Sequence, residues 1–70
     1  MTQHQRILDY IKRFGSISPL EAFRDLGITK LATRISELKK MGYDFIQEYD
    51  EGYNRFGDKV RYMRYRLYGD

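Results

Sequence analysis

The sequence predicts an α+β fold in which three short helices are followed by a C-terminal β-hairpin. Three observations carry this. Apolar residues recur at helical spacing up to about residue 41 and at a period of two beyond it. Glycine stops and polar starts cut the first part into three segments. Gly52, Asn54 and Gly57 then fall between two runs of strand composition.

The first helix is expected at about 3–14. Thr2 offers its hydroxyl as a cap, Gln5 is spaced to reach back to it, and Ile7, Leu8, Ile11 and Phe14 make one apolar stripe. Gly15 ends it, because a glycine enters the left-handed region that a Cβ disfavours. Ile17 has the character of a very short strand near 16–18. Three start signals then coincide: Ser18 as cap, Pro19 in the first turn and Glu21 three residues past the cap. They open a second helix over 19–26, with Leu20, Ala22, Phe23 and Leu26 assigned inward and Gly27 as its stop. Thr29 is the expected cap of a third helix over 30–41, whose inward stripe is Leu31, Ile35, Leu38 and Met41 and which Gly42 closes.

Only Gly27, Ile28 and Thr29 join the second and third helices. So short a link prevents them from lying side by side antiparallel, so they must cross steeply. Strands are expected at about 43–49 and 60–68, with a loop over 50–59. In the second strand Met63, Tyr65 and Leu67 share one face, and Arg64 and Arg66 the other, where they are read as outward, solubilising residues.

Seventy residues correspond to a single domain over 1–70. A chain of this size needs an efficient core, and 16% aromatic content supplies large side chains for one. Without cysteine there is no disulfide and no thiolate metal site, and one histidine does not make a cage, so neither metal nor cofactor is expected. No apolar run approaches the roughly 20 residues of a membrane span and no signal-peptide pattern is present, so a soluble cytoplasmic protein is expected. Net charge is +3, and its distribution says more than its sum. Residues 30–42 carry Lys30, Arg34, Lys39 and Lys40 against Glu37. Residues 43–58 are acidic, with five carboxylates against Arg55, and residues 59–70 return to basic with Lys59, Arg61, Arg64 and Arg66 against Asp70.

The segments Ser18-Pro19-Leu20-Glu21-Ala22, Leu26-Gly27-Ile28, Leu31 to Leu38 and Gly42-Tyr43 resemble those of small winged helix-turn-helix proteins, most closely the type encoded by phages and prophages. The resemblance extends over about residues 4–68. It implies a DNA-binding fold whose hairpin is the wing, with double-stranded DNA as partner and the helix at 30–41 in the major groove. It implies a transcriptional regulator or a DNA-binding accessory factor.

That chemistry needs side chains that match base edges, and donors for phosphate. With Leu31, Ile35 and Leu38 inward, Lys30, Thr33, Arg34, Glu37 and Lys40 are left to face out, with Ser36 at the edge. Arg34 suits a bidentate contact to guanine, and Glu37 either accepts from cytosine or orients Arg34 or Lys40. Ser18 and Thr29, at helix starts, are placed to meet phosphates besides capping. In the wing, Arg55 is either a minor-groove reader or, with Lys59 and Arg61, a backbone contact. Asp50, Glu51 and Asp58, assigned to the loop, would repel phosphate and so favour the second arrangement. One such helix reads only a few base pairs, so a second copy or a partner protein is expected to complete recognition.

Enzymatic chemistry lacks its inventory. His4 is the sole histidine, there is no thiol, and there is no glycine-rich phosphate loop. The alternative is a protein–protein module on the same scaffold, for example an inhibitor of a host factor. Seven tyrosines, three of them at Tyr62, Tyr65 and Tyr68, suit such an interface as well as they suit a core. RNA binding is a weaker option, since no aromatic platform on a four-stranded sheet is in view.

Overall fold

A computed structural model describes residues 1–69, so Asp70, counted above in the basic segment, lies outside the described residues. The order is α1 (Gln3–Phe14), α2 (Pro19–Leu26), α3 (Leu31–Lys40), β1 (Phe45–Tyr53) and β2 (Lys59–Leu67). The architecture is three helices followed by an antiparallel two-stranded hairpin.

Both early helices begin in reciprocal caps. The Thr2 hydroxyl accepts from the Gln5 N–H at 3.1 Å while the Thr2 N–H donates to Gln5 Oε1 at 2.9 Å. Ser18 and Glu21 repeat the arrangement at 3.2 and 3.0 Å, with Pro19 at the first position of α2. Two otherwise unsatisfied donors are paired at each start. Gly15 (φ +91°) and Gly27 (φ +70°) terminate the two helices in the left-handed region.

The third helix departs from expectation. It spans Leu31–Lys40 rather than 30–41, and Lys30, not Thr29, stands at its cap position with no side-chain hydrogen bond. Lys30 has φ −121° and ψ 59°, outside the helical region, which leaves the Thr29 hydroxyl one residue too far from the free N–H groups. Met41 follows the last helical residue and is exposed instead of inward.

The hairpin is longer and tighter than its composition suggests. Its register runs from Phe45↔Leu67 to Tyr53↔Lys59, so the loop shrinks from 50–59 to 54–58 and Tyr68 falls beyond β2. Gly52 is the reason: it is a strand residue opposite Val60, not a turn residue. A Cβ there would stand 3.4 Å from the Tyr62 ring, an ordinary van der Waals distance, and its backbone has no positive φ, so the position is that of an ordinary strand residue. Asp50 and Glu51 are therefore in β1, paired with Tyr62 and Arg61, and not in the loop. The turn is built by Asn54, whose Oδ1 accepts the N–H groups of Phe56 (2.9 Å) and Asp58 (3.0 Å), with Gly57 at φ +83°. Ile17 pairs with Tyr65 through both backbone bonds (3.0 and 2.9 Å), fastening the α1–α2 connection to the outer edge of β2.

The core lies where the three helices meet the base of the hairpin: Ile7, Tyr10, Ile11, Ile17, Ala22, Ile28, Leu31, Ile35, Leu38, Tyr65 and Leu67. Four residues assigned inward from spacing are exposed instead: Phe14, Leu20, Phe23 and Met41. In α2 Ala22 is buried in the core and Leu26, one turn on, packs half-buried against it, while at about 100° per residue Leu20 is turned roughly 160° from Ala22. In α1 the inward place goes to Tyr10, with Phe14 tilted against its ring at 4.7 Å between centroids. Tyr10 reaches across to α2, donating from its hydroxyl to Asp25 Oδ2 at 2.6 Å. Burial, together with this bond to a carboxylate, pushes the Tyr10 pKa up to about 12.

Candidate nucleic-acid interface

With Leu31, Ile35 and Leu38 buried, α3 has three other aspects. Thr33, Ser36 and Lys40 stand opposite the core and are exposed, with Thr29 and Lys30 at the head of the helix. Ala32 and Lys39 form one exposed flank. Arg34 and Glu37 form the other, and here the structure corrects the expectation that they face outward. Both are half-buried, and Glu37 is bonded to α1. Glu37 Oε1 lies 2.8 Å from His4 Nε2 of α1 and 3.2 Å from Arg34 NH1. The bond from His4 comes first, and with the nearby Arg34 charge it outweighs partial burial and holds the Glu37 carboxyl below its ordinary pKa. The Arg34 Nε is buried with no hydrogen-bond partner. Of the roles open to Glu37, this geometry is that of a residue orienting Arg34, not Lys40.

The outcome for charge is simple. Lys30, Lys39 and Lys40 make no ion pair among the described residues, while the helix's one carboxylate is drawn away toward α1. An exposed, uncompensated cationic helix bearing two hydroxyls can bind polyanions and address base edges. Ser36, Ala32 and Lys39 belong to this exposed surface more fully than the sequence reading placed them. The signal was present: 100° steps from the Leu31–Ile35–Leu38 stripe put Ser36 outside and Arg34 at the margin.

Ser18, expected to meet a phosphate besides capping, is seen here in its capping role. It is only 2% exposed, and its N–H and hydroxyl are both occupied by Glu21. Thr29 stays exposed at the start of α3.

The hairpin's charges are handled differently. Glu48 pairs with Arg66 (3.4 Å), Asp50 with Arg64 (3.1 Å) and Glu51 with Lys59 (2.9 Å), each diagonally across the two strands. Arg61 lies over the Tyr49 ring, 4.7 Å from its centroid. Arg55 stands exposed in the 54–58 loop, without a carboxylate partner among the described residues. The acidic segment is therefore largely neutralised from within, and the loop itself carries Arg55 and Asp58.

Arg64 is the residue that sequence reasoning misplaced most. Rather than solvated and outward, it donates to Ser16 Oγ (2.8 Å), to both Glu21 oxygens (2.9 and 3.1 Å) and to Asp50. A bidentate guanidinium–carboxylate bridge thus binds the capping residue of α2 to β2. Burial acts against the Glu21 carboxylate, but the bonds from Arg64 and Ser18 prevail and lower its pKa. Nothing in the spacing announces this pair, which is separated by 43 positions and depends on the Ile17–Tyr65 bridge.

Elsewhere, an open groove of about 420 Å³ runs between α1 and the end of α2, past Arg6, Tyr10, Phe14 and Asp25. Among the described residues no cluster of three or more His, Cys, Asp or Glu is placed to hold a metal ion. Among the described residues no helix is long and apolar enough to cross a membrane.

A family model described as a winged helix-turn-helix domain matches residues 2–69. No curated protein and no solved structure matches the chain.

Proposed function

The chain belongs to the winged helix-turn-helix domain family, and we propose that it binds double-stranded DNA sequence-specifically, with α3 in the major groove. The observation that carries this is the division of charge on α3: three free lysines around an exposed Thr33–Ser36–Lys40 face, with Glu37 turned aside. A groove about 12 Å wide admits one helix, and the hydroxyls of Thr33 and Ser36 are suited to base edges. Lys40 and Lys39 then meet the phosphate backbone, and Lys30 and Thr29 approach it at the head of the helix. Arg34, held by Glu37, flanks the reading face and supports the seat of α3 on α1. The wing lies alongside the duplex with Arg55 at its tip and Arg61 and Lys59 behind it.

The biological role in this reading is that of a transcriptional regulator or DNA-binding accessory factor of the phage or prophage type, a binding module and not an enzyme. A single helix reads few base pairs, so recognition is completed by a second copy or a partner protein. Fluorescence anisotropy with duplex DNA over a salt series tests the proposal. Affinity should fall linearly on a log–log plot, with a slope of about −0.9 per phosphate neutralised. Salt-independent binding, or none, would contradict it.

One observation favours a protein partner instead: Leu20 and Phe23, three residues apart on α2, are both exposed. A contact built on that pair would persist at high salt, which separates the two readings in the same titration.

A further inference from the structure

The turn at the far end of the hairpin uses Asn54, Gly57 and the backbone of Asp58, and makes no structural use of the side chains at 55 and 56. Asn54 closes the loop with its N–H on the Asp58 carbonyl (2.9 Å) and its Oδ1 under the N–H of Phe56. Gly57 supplies the positive φ. Held on this frame, Phe56 is 87% exposed and Tyr53 beside it 74%, the former the most exposed large apolar side chain of the described residues. A turn with these anchors accepts a small polar residue at position 56 at no cost to its geometry. A phenylalanine there presents apolar area on a rigid support, next to the unpaired Arg55.

We infer that the wing tip is a wedge for duplex DNA: Arg55 enters the minor groove and Phe56 inserts at a base step, partly unstacking it and kinking the helix. This rests on the DNA-binding reading above and specifies what its wing does. Charge argues for DNA as occupant. The three strand carboxylates nearest the tip are each matched by a cation, leaving Arg55 and Arg61 as the tip's open charges against Asp58 alone. Reach is adequate. The five distal pairs, from Tyr49↔Met63 to Tyr53↔Lys59, span four steps, about 14 Å at 3.4 Å per residue, and the 54–58 turn lies beyond them, which brings the reach to the order of half a helical turn of B-DNA, about 17 Å, the distance from a major groove to the next minor groove. Chemistry agrees as well: minor-groove proteins pair a cation that senses the narrow groove with an apolar side chain driven between bases, at a cost in stacking that the bent complex recovers in contact. Flexible pyrimidine–purine steps are the expected sites, since they unstack most easily.

The test is a DNA-bending measurement, by end-to-end fluorescence transfer on a duplex selected for binding, with the full chain and its Phe56→Ala, Phe56→Leu and Arg55→Ala variants. The wild-type complex should show a bend of about 20–90°. Phe56→Ala should bind the same duplex within about tenfold but leave it nearly straight, and Phe56→Leu, which keeps an apolar wedge, should restore the bend. Arg55→Ala should weaken binding most for sites with a narrow, A·T-rich minor groove. A 2-aminopurine placed at the kinked step should brighten with wild type and Phe56→Leu only. A straight wild-type complex overturns the wedge while leaving DNA binding intact. An unchanged bend in Phe56→Ala does the same and assigns the exposed aromatics to a protein contact. Failure of the wild-type chain to bind any selected duplex overturns the wedge and the DNA reading together.

Discussion

Helix α3 and the hairpin carry most of the basic residues in the C-terminal two-thirds of the chain, yet they dispose of them in opposite ways. On α3 the lysines are free and the lone glutamate is drawn to a neighbouring helix. On the hairpin, Arg64, Arg66 and Lys59 are each matched to a carboxylate on β1, and Arg64 is committed twice over, to Asp50 and Glu21. Cationic side chains therefore do different work in the two places. In α3 their charge is available to a partner, whereas in the hairpin it is spent on holding a long, thin element straight and fastened to the body. Counting charges by segment could not distinguish the two, because the pairing is between strands, not within them.

Substitutions can break that comparison, beginning with the largest expected effect. Ile35→Ala removes a side chain buried on the inner stripe of α3 and should cost about 2–5 kcal/mol in thermal or denaturant unfolding. Normal stability in that variant would mean the open and buried faces of α3 have been assigned the wrong way round. Arg64→Ala should cost about 1–3 kcal/mol, since it leaves the half-buried Glu21 without its bidentate partner. This part of the stability is pH-dependent with a definite sign. The Glu21 pKa is lowered in the folded state from 4.5, so the bridge stabilises above that value and loses its effect as pH falls through the lower folded value. The gap between wild type and Arg64→Ala should therefore close in acid, and a gap that persists with Glu21 protonated would assign the loss to packing.

Lys40→Ala should leave folding unchanged, weaken binding to all duplexes alike and reduce the salt slope by about one. If it instead changed which sequence is preferred, Lys40 would be a base reader and the orientation of α3 in the groove would need rotating. The smallest effect belongs to the base of the hairpin: Arg66→Ala breaks an exposed 3.4 Å pair with Glu48 and should shift stability by less than about 1 kcal/mol. The contrast between Arg64 and Arg66, two residues apart on one strand face, is the sharpest internal control on the comparison.

Much of this was legible beforehand because the deciding signals are local. Thr2 with Gln5, Ser18 with Glu21, and the left-handed Gly15 and Gly27 act within four residues of one another, and the change from helical to strand periodicity after Gly42 is equally local. What the sequence left hidden is set by distance or by phase. Gly52 reads as a turn residue until its pairing with Val60 is known, so two acidic residues were assigned to a loop they do not occupy. Leu20 and Phe23 look inward on an eight-residue helix too short for its apolar stripe to be phased, and only contact with the core singles out Ala22 and Leu26. At the interface, simple phase accounts for the exposure of Thr33 and Lys40, while Glu37 is drawn aside by His4, thirty-three positions earlier on another helix, and Arg34 pairs with that Glu37.

On the proposed reading Thr33 and Ser36, with Lys40 behind them, read DNA, and Arg34 serves the seat of α3. Selection of binding sites from a random duplex pool, run in parallel with wild type, Thr33→Ala, Ser36→Ala and Arg34→Gln, tests it most directly. The account predicts a wild-type consensus in which the Thr33 and Ser36 variants each change the preferred base at one or two neighbouring positions, while Arg34→Gln keeps the consensus. A consensus lost at a guanine in Arg34→Gln and untouched in the other two would contradict it.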